Sequence, residues 1–311
     1  MAVLALSART AQAAFWYVDA NAPTSGAVGT QAHPYVKIQD AVNNPLVGAN
    51  DVIRVGGGST ATPKVYKPTS QGTSIQLKDR VRIEGGYPGW NGSTFVDTGR
   101  DPDTYVTVLS GDLDNDDTPG NIRTNRGDNA FHVVTAPSDM QPFNSANVAL
   151  QANLDGFTII GGHGTSNGGG GAIFIRESLN SATRPVIRNC IITDNYGVQY
   201  GGAVYAEQFA EPVFRRCRFI ANKCDGSGGG LGADAVIIRL LDCVFDSNVA
   251  RRGGAAVIEK SEVTFVSCKF LENVATGSVS TAGSGRRAGI GLGCRPDRDH
   301  QLPVYREPGA K

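Results

Sequence analysis

Between residues 186 and 276 the apolar positions alternate at a spacing of two over short runs and then slip by one. In "PVFRRCRFIAN" the apolar positions are Phe214, Cys217 and Phe219. Cys217 and Phe219 share one face of a strand, whereas Phe214 lies an odd number of residues before Cys217. Both can face inward only if the chain bends between them. The same slip separates Ile187 from Cys190, Leu240 from Cys243 and Phe265 from Cys268. No helical 3.6 spacing runs through these segments. Each unit is therefore predicted as two short strands meeting at a bend, an Asn turn, and a Gly-Gly turn into a third strand.

The unit recurs. "CIITDN" begins at Cys190, "CRFIAN" at Cys217, "CVFDSN" at Cys243 and "CKFLEN" at Cys268, at spacings of 27, 26 and 25 residues. A weaker copy, "LDGFTIIGG", puts Phe157 in the cysteine position and Gly162 in the asparagine position. Between copies stand "GGAIF" from Gly170, "GGAVY" from Gly201, "GGLGA" from Gly229 and "GGAAV" from Gly253. Two motifs alternating at a fixed period mean stacked repeats, and the period is too short for propeller blades. The predicted fold is all-β, a right-handed parallel β-helix with a short N-terminal capping helix. Equivalent residues then stack about 4.8 Å apart. Asn195, Asn222, Asn248 and Asn273 form a ladder, with Asn expected in the left-handed conformation that it tolerates. The cysteines form an inward column of small apolar side chains headed by Phe157. Disulfides between coils are the rival reading, and the spacing does not suit a zinc site. Cys224 and Cys294 have no evident partner.

The earlier chain continues less regularly. Strands are expected in "DVIRVGGG" from Asp51, "SIQLKDRVRIEGGY" from Ser74, "TVLSG" from Thr107 and "NAFHVV" from Asn129. In "HPYVKIQDAVNN", Tyr35, Ile38 and Val42 fall on one helical face, and such a helix would cover the open end of the first coil. "FWYVDA" would be a strand beside it. The chain thus divides into a signal-peptide remnant (1–13), an N-terminal cap (14–50), the β-helix (51–276) and a tail (277–311) without period or alternation, expected to be disordered or loosely attached. The remnant is read from a short apolar run ending in the small-x-small triplet Ala11-Gln12-Ala13.

Composition narrows the function. Glycine is high at 40 residues and aromatics are few, as suits short strands and tight turns. Lys and Arg number 29 and Asp and Glu 29, which argues against a nucleic-acid binder. No segment reaches the roughly 18 apolar residues of a membrane span.

Three patterns are candidates for chemistry. "SGDLDNDDTPGN" alternates Asp112, Asp114 and Asp116, with Asp117 adjacent, an oxygen-rich loop suited to Ca2+ or simply a solvated acidic loop. It is no EF-hand, because Asp117 stands where that loop needs glycine and Arg123 where it needs glutamate. Counting from the glycine pairs, Arg176, Glu207 and Glu259 share an outward column, and Glu177, Gln208 and Lys260 the next. These polar side chains, Arg176, Glu207, Glu259 and Lys260 foremost, could grip a polysaccharide or cell-surface glycan, or form a solvated face. Arg188, Arg215, Arg216 and Arg218 make a basic strip, where an acidic glycan could bind or where charge is simply balanced locally. His132 and His163 lie about a coil apart without a third ligand or a nucleophile. "SNGGGG" from Ser166 is no phosphate loop.

The paired GGA-[apolar] and F-x-x-N motifs resemble the repeats of bacterial polymorphic outer-membrane proteins and, more broadly, the pectate-lyase-like β-helix superfamily. They stand here at Gly170–Ile173, Gly201–Val204 and Gly253–Ala256, and at Phe219–Asn222, Phe245–Asn248 and Phe270–Asn273. The resemblance covers residues 154–276, and "YVDANA", "IQDAV" and "VRIEGGY" are similar to the opening of many exported bacterial β-helix proteins. It implies surface exposure and adhesion, although the membrane β-barrel that usually ends the polymorphic type has no counterpart here. The expected protein is a monomeric, exported, non-catalytic β-helix, secreted or at the cell surface, adhesive or glycan-binding. The alternative is a calcium-dependent lyase or a glycoside hydrolase acting on an acidic polysaccharide. A lyase needs acidic calcium ligands and an Arg or Lys near the sugar's α-proton, and the acidic loop is expected several coils away from the charged column.

Overall fold

The computed structural model describes residues 13–118, 120–122, 124–136, 153–165, 168–176, 183–277 and the backbone of 290–292. The chain winds through stacked coils whose strands build four sheets along one axis. The first sheet takes Phe15–Val18, Val52–Gly56, Arg82–Tyr87, Asn153–Asp155, Val186–Arg188, Val213–Arg215, Ile237–Leu241 and Glu262–Val266. The second takes Lys64–Tyr66, Thr107–Ser110, Thr158–Ile160, Ile191–Thr193, Arg218–Ile220, Val244–Asp246 and Lys269–Leu271. A short third sheet runs from His163–Gly164 through Tyr196–Gly197, Lys223–Ser227 and Val249–Arg252 to Val274–Ala275. The fourth runs from Ile75–Gln76 through Val134–Ala136, Ile173–Arg176, Val204–Glu207, Leu231–Asp234 and Ala256–Glu259. These neighbours pair in parallel.

Register places like on like. Ile187, Phe214, Leu240 and Phe265 are in line and buried. So are Ile192, Phe219, Phe245 and Phe270, whose rings stack at 4.4 Å (Phe219–Phe245) and 5.1 Å (Phe245–Phe270) between centroids. Cys190, Cys217, Cys243 and Cys268 form the expected buried column of free thiols beside Phe157. The Sγ atoms of Cys217, Cys243 and Cys268 donate to the carbonyls of Ile187, Phe214 and Leu240, one coil back. Burial and the neighbouring thiols push Cys217 well above the usual thiol range.

The bend predicted before each cysteine is a single left-handed residue: Asn189, Arg216, Asp242 and Ser267, with φ of 49°, 52°, 55° and 53°. The Asn turn works in the same way, and here the sequence expectation is corrected. The left-handed residues are Asp194, Ala221, Ser247 and Glu272, each one before the asparagine. One left-handed residue reverses the alternation, so the next side chain points inward. The asparagine is that inward side chain, and all four are fully buried. Asn195 donates through Nδ2 to Asn222 Oδ1 (3.0 Å), Asn222 to Asn248 (3.0 Å) and Asn248 to Asn273 (2.9 Å). Each amide also donates to a carbonyl one coil back, such as Ile192 O for Asn222 (2.8 Å). Gly162, in the asparagine position of the weak copy, donates its backbone N–H to Asn195 Oδ1 (3.0 Å).

The glycine corner needs positive φ at Gly170, Gly201, Gly228 and Gly253. At Gly201 an added Cβ would lie 2.1 Å from the Val204 carbonyl oxygen. Val204 aligns with Leu231 and Leu231 with Ala256, so the third copy of the motif begins at Gly228, one residue before the Gly229 taken from the sequence.

Helix α1 spans Ile38–Asn43 and buries Ile38, Ala41 and Val42; Tyr35 precedes it and packs against the same core. Asp19, fully buried, ties this cap to the first coils. Its carboxylate accepts from Lys64 Nζ (2.6 Å), the Trp90 N–H (2.7 Å) and the Asn21 N–H (2.9 Å). Cβ atoms at Gly56 or Gly89 would come within 2.0–2.1 Å of it, so only glycine fits there. In the stretch expected to lack order, Ile290–Leu292 pairs antiparallel with Ala256–Ile258. The rest of that stretch from residue 278, the segment up to residue 12 expected to be a signal-peptide remnant, and Cys294 lie outside the described residues.

Candidate functional site

The fourth sheet presents its outward side chains in register. Arg176 aligns with Glu207, Glu207 with Asp234 and Asp234 with Glu259. The structure thus brings the predicted column together and adds Asp234, which the one-residue shift at Gly228 hid. The charges pair internally. Arg176 Nε lies 3.2 Å from Glu207 and donates to Gln208 Oε1 (2.8 Å), Lys260 Nζ lies 3.3 Å from Asp234, and Arg252 Nη2 lies 3.4 Å from Glu259. Glu177 lies outside the described residues.

Two residues back on the same face is a stack of rings that sequence reading missed. His132 stacks on Phe174 at 4.7 Å, Phe174 on Tyr205 at 6.1 Å and Tyr205 on Tyr200 at 5.2 Å. Burial, and then the negative charge of Glu207, raises Tyr205 above the usual phenol range. Burial also lowers the pKa of His132, whose Nδ1 lies 3.0 Å from the Gly170 carbonyl. His163 makes a separate contact, through Nδ1 to the Arg126 carbonyl (2.6 Å). At the edge of this face Gln208 and Phe209 are both left-handed, with φ of 56° and 63°. The Phe209 N–H is tied to Ala235 O (2.6 Å), while its side chain stands 71% exposed. A left-handed backbone at an aromatic residue is costly, and here it turns a ring into solvent.

The acidic loop closes differently from its sequence spacing. Carboxylate oxygens of Asp112, Asp116 and Asp128 lie within 4.8 Å of one another. Asp114 instead donates its backbone N–H to Asp128 Oδ2 (3.1 Å). Asp117 turns to Arg126 (3.0 Å) and accepts from Asn129 Nδ2 (2.8 Å). Desolvation first, and then the charges of Asp128, Asp112 and Asp114, raises the Asp116 pKa. Asp112 already accepts the N–H groups of Asn115 (2.7 Å) and Asp116 (3.3 Å), which shapes the loop. Three clustered carboxylates fit a calcium ion that takes its remaining oxygens from water and backbone. The loop feeds Val134–Ala136, so Arg176 is only one coil further on, nearer than expected, and Glu259 four.

Residues 143–289 match the family model for a right handed beta helix region. The chain is a right-handed parallel β-helix. Comparison with curated proteins and with solved structures gives no match. Among the described residues of this β-helix, no helix is long and apolar enough to cross a membrane. Asp128 and Phe209 escaped sequence reading because neither belongs to the repeat. Asp128 is brought in by loop closure, and Phe209 is an extra residue beyond the position shared by Gln208, Ala235 and Lys260.

Proposed function

We propose that this β-helix is exported to the cell surface or extracellular space, where it binds glycans as a monomer and without catalysis. The observation that carries the reading is the Phe209 ring, held 71% exposed by a strained backbone beside the Arg176–Glu207–Asp234–Glu259 column. An exposed aromatic face next to fixed polar groups suits sugars, which offer C–H faces to rings and hydroxyls to charged partners. The internal pairing of the column supports binding over catalysis, because each charge already has a partner and the face holds an ordered row of hydrogen-bonding groups. The Ala11-Gln12-Ala13 triplet supports export, and the likeness to polymorphic outer-membrane repeats supports adhesion. The test is a glycan array probed with the wild type and with Phe209→Ala. Retention of a discrete glycan set, weakened about tenfold or more in the variant, is the expected result. No retention, or equal retention by the variant, overturns the assignment of this face. Release of unsaturated products, seen as new ultraviolet absorbance, overturns the non-catalytic reading.

A further inference from the structure

The corner between the first and second sheets carries charge of a different kind. Arg188 and Arg215 are in register on adjacent strands of the first sheet, and Arg239 aligns with Val213 on the next coil. Arg216 is the left-handed corner residue, and Arg218 opens the second-sheet strand. Arg215, Arg216, Arg218 and Arg239 are exposed. Among the described residues no ion pair joins any of these four to a carboxylate, in contrast to the paired column of the fourth sheet. The carboxylates nearest by register are Asp155, Asp242 and the exposed Glu262, which lies two residues before Thr264, the partner of Arg239. Asp155, in line with Arg188, is held by Arg100 (3.0 Å) and Asn189 (2.7 Å). Asp242, at the equivalent corner one coil on, is exposed and forms no ion pair with Arg216 among the described residues. Two coils beyond Arg218, in line with it through Val244, the exposed Lys269 extends the positive stripe.

With a chain net charge of zero, this is a local concentration of positive charge. Like charges stacked at a coil repeat of about 4.8 Å repel one another, and a polyanion lying along the solenoid axis would relieve that repulsion. Guanidinium groups offer forked donors that match oxyanions, and they keep their charge throughout the accessible pH range. We propose that this corner binds an anionic sugar polymer, whose sulfate or carboxylate groups bridge guanidinium groups of successive coils. The site stands apart from the fourth-sheet face and does not depend on that reading.

The test is binding of labelled sulfated dextran and carboxymethyl dextran to the full chain, with neutral dextran and duplex DNA of matched charge as comparisons. The proposal expects at least one anionic dextran to bind and the neutral one not to, with affinity falling as salt screens the charges. The triple variant Arg215→Gln, Arg216→Asn, Arg218→Gln should lose affinity about tenfold or more, while Arg251→Gln, an exposed arginine of the third sheet, keeps it. Asn is chosen at 216 because it tolerates the left-handed backbone. If the triple variant is misfolded by circular dichroism, the single Arg215→Gln and Arg218→Gln variants are read instead, each with a partial loss expected. The ratio of the two anionic dextrans assigns the group that is recognised. Binding of neutral dextran at equal strength, tighter binding of DNA, no binding of either anionic dextran, or unchanged affinity in the folded arginine variants overturns the proposal.

Discussion

A single left-handed residue sets each corner, and the residue after it carries the consequence. The amides of Asn195, Asn222, Asn248 and Asn273 are held inside by these corners and bonded to one another and to backbone. Asn222→Ala should cost about 1–3 kcal/mol for the orphaned Asn195 N–H alone, since that group donates to Asn222 Oδ1. A denaturation midpoint equal to the wild type's would show that the ladder does not form. The preceding residue predicts the opposite sign. Ala221 is exposed and held at φ 51°, where a Cβ is unfavourable. Ala221→Gly should raise stability by roughly 0.5–1 kcal/mol, because relief of that strain exceeds the entropy that glycine adds to the unfolded chain. A lower midpoint for this variant would contradict the corner geometry. Propensity alone pointed to Asn at the left-handed position and so misplaced the strain by one residue. Asp194, Ala221, Ser247 and Glu272 share no side-chain chemistry that could have marked it.

Among the elements, the strands were legible because repetition writes the same inward set four times, and the loops were not, because each is written once. The acidic loop shows the difference. Asp112 and Asp116 were visible as neighbours in sequence, whereas Asp128 joins them only through the path of the chain. The charged column was visible apart from Asp234, hidden by the extra glycine before Leu231. The raised pKa values of Asp116 and Asp117 come first from desolvation and then include neighbouring carboxylates. In the folded state these groups bind protons more readily than in the unfolded chain. Their contribution to stability is therefore greatest below the ordinary Asp value of about 3.9 and is lost as pH rises through the raised folded values. A cation at the Asp112–Asp116–Asp128 cluster would oppose that loss. Calcium is expected to raise the melting temperature at neutral pH by roughly 2–4 °C. In chelator, Asp128→Asn should melt no lower than the wild type, since it removes a repelling charge, and should abolish the calcium increment. An equal calcium shift in wild type and variant would mean that the ion acts elsewhere.

The whole molecule behaves as a stack, in which each coil touches only its neighbours. Arg216 and Asp242 hold the same left-handed corner, and Cys217 and Cys243 the same inward place. Deleting residues 217–242 should join equivalent points and leave a folded, shorter solenoid. It is expected to keep its strand signature in circular dichroism, with a smaller denaturant m-value because less surface is buried. Loss of that signature would show that the coils are not interchangeable. The stacking also has a mechanical meaning. Hydrogen bonds between coils lie along the solenoid axis, so tension applied end to end loads the coil–coil joints in series, and the chain yields at its weakest joint. Between residues 195 and 273 every joint carries an asparagine link in addition to its sheet bonds. The joint between Thr107–Ser110 and Thr158–Ile160 has one asparagine bond to backbone, from Asn129 Nδ2 to the Gly161 carbonyl, and no amide-to-amide link among the described residues. Under a pulling force the asparagine-laced coils should hold while the stack parts on the N-terminal side, which makes the ladder a reinforcement for the half that bears the arginine corner.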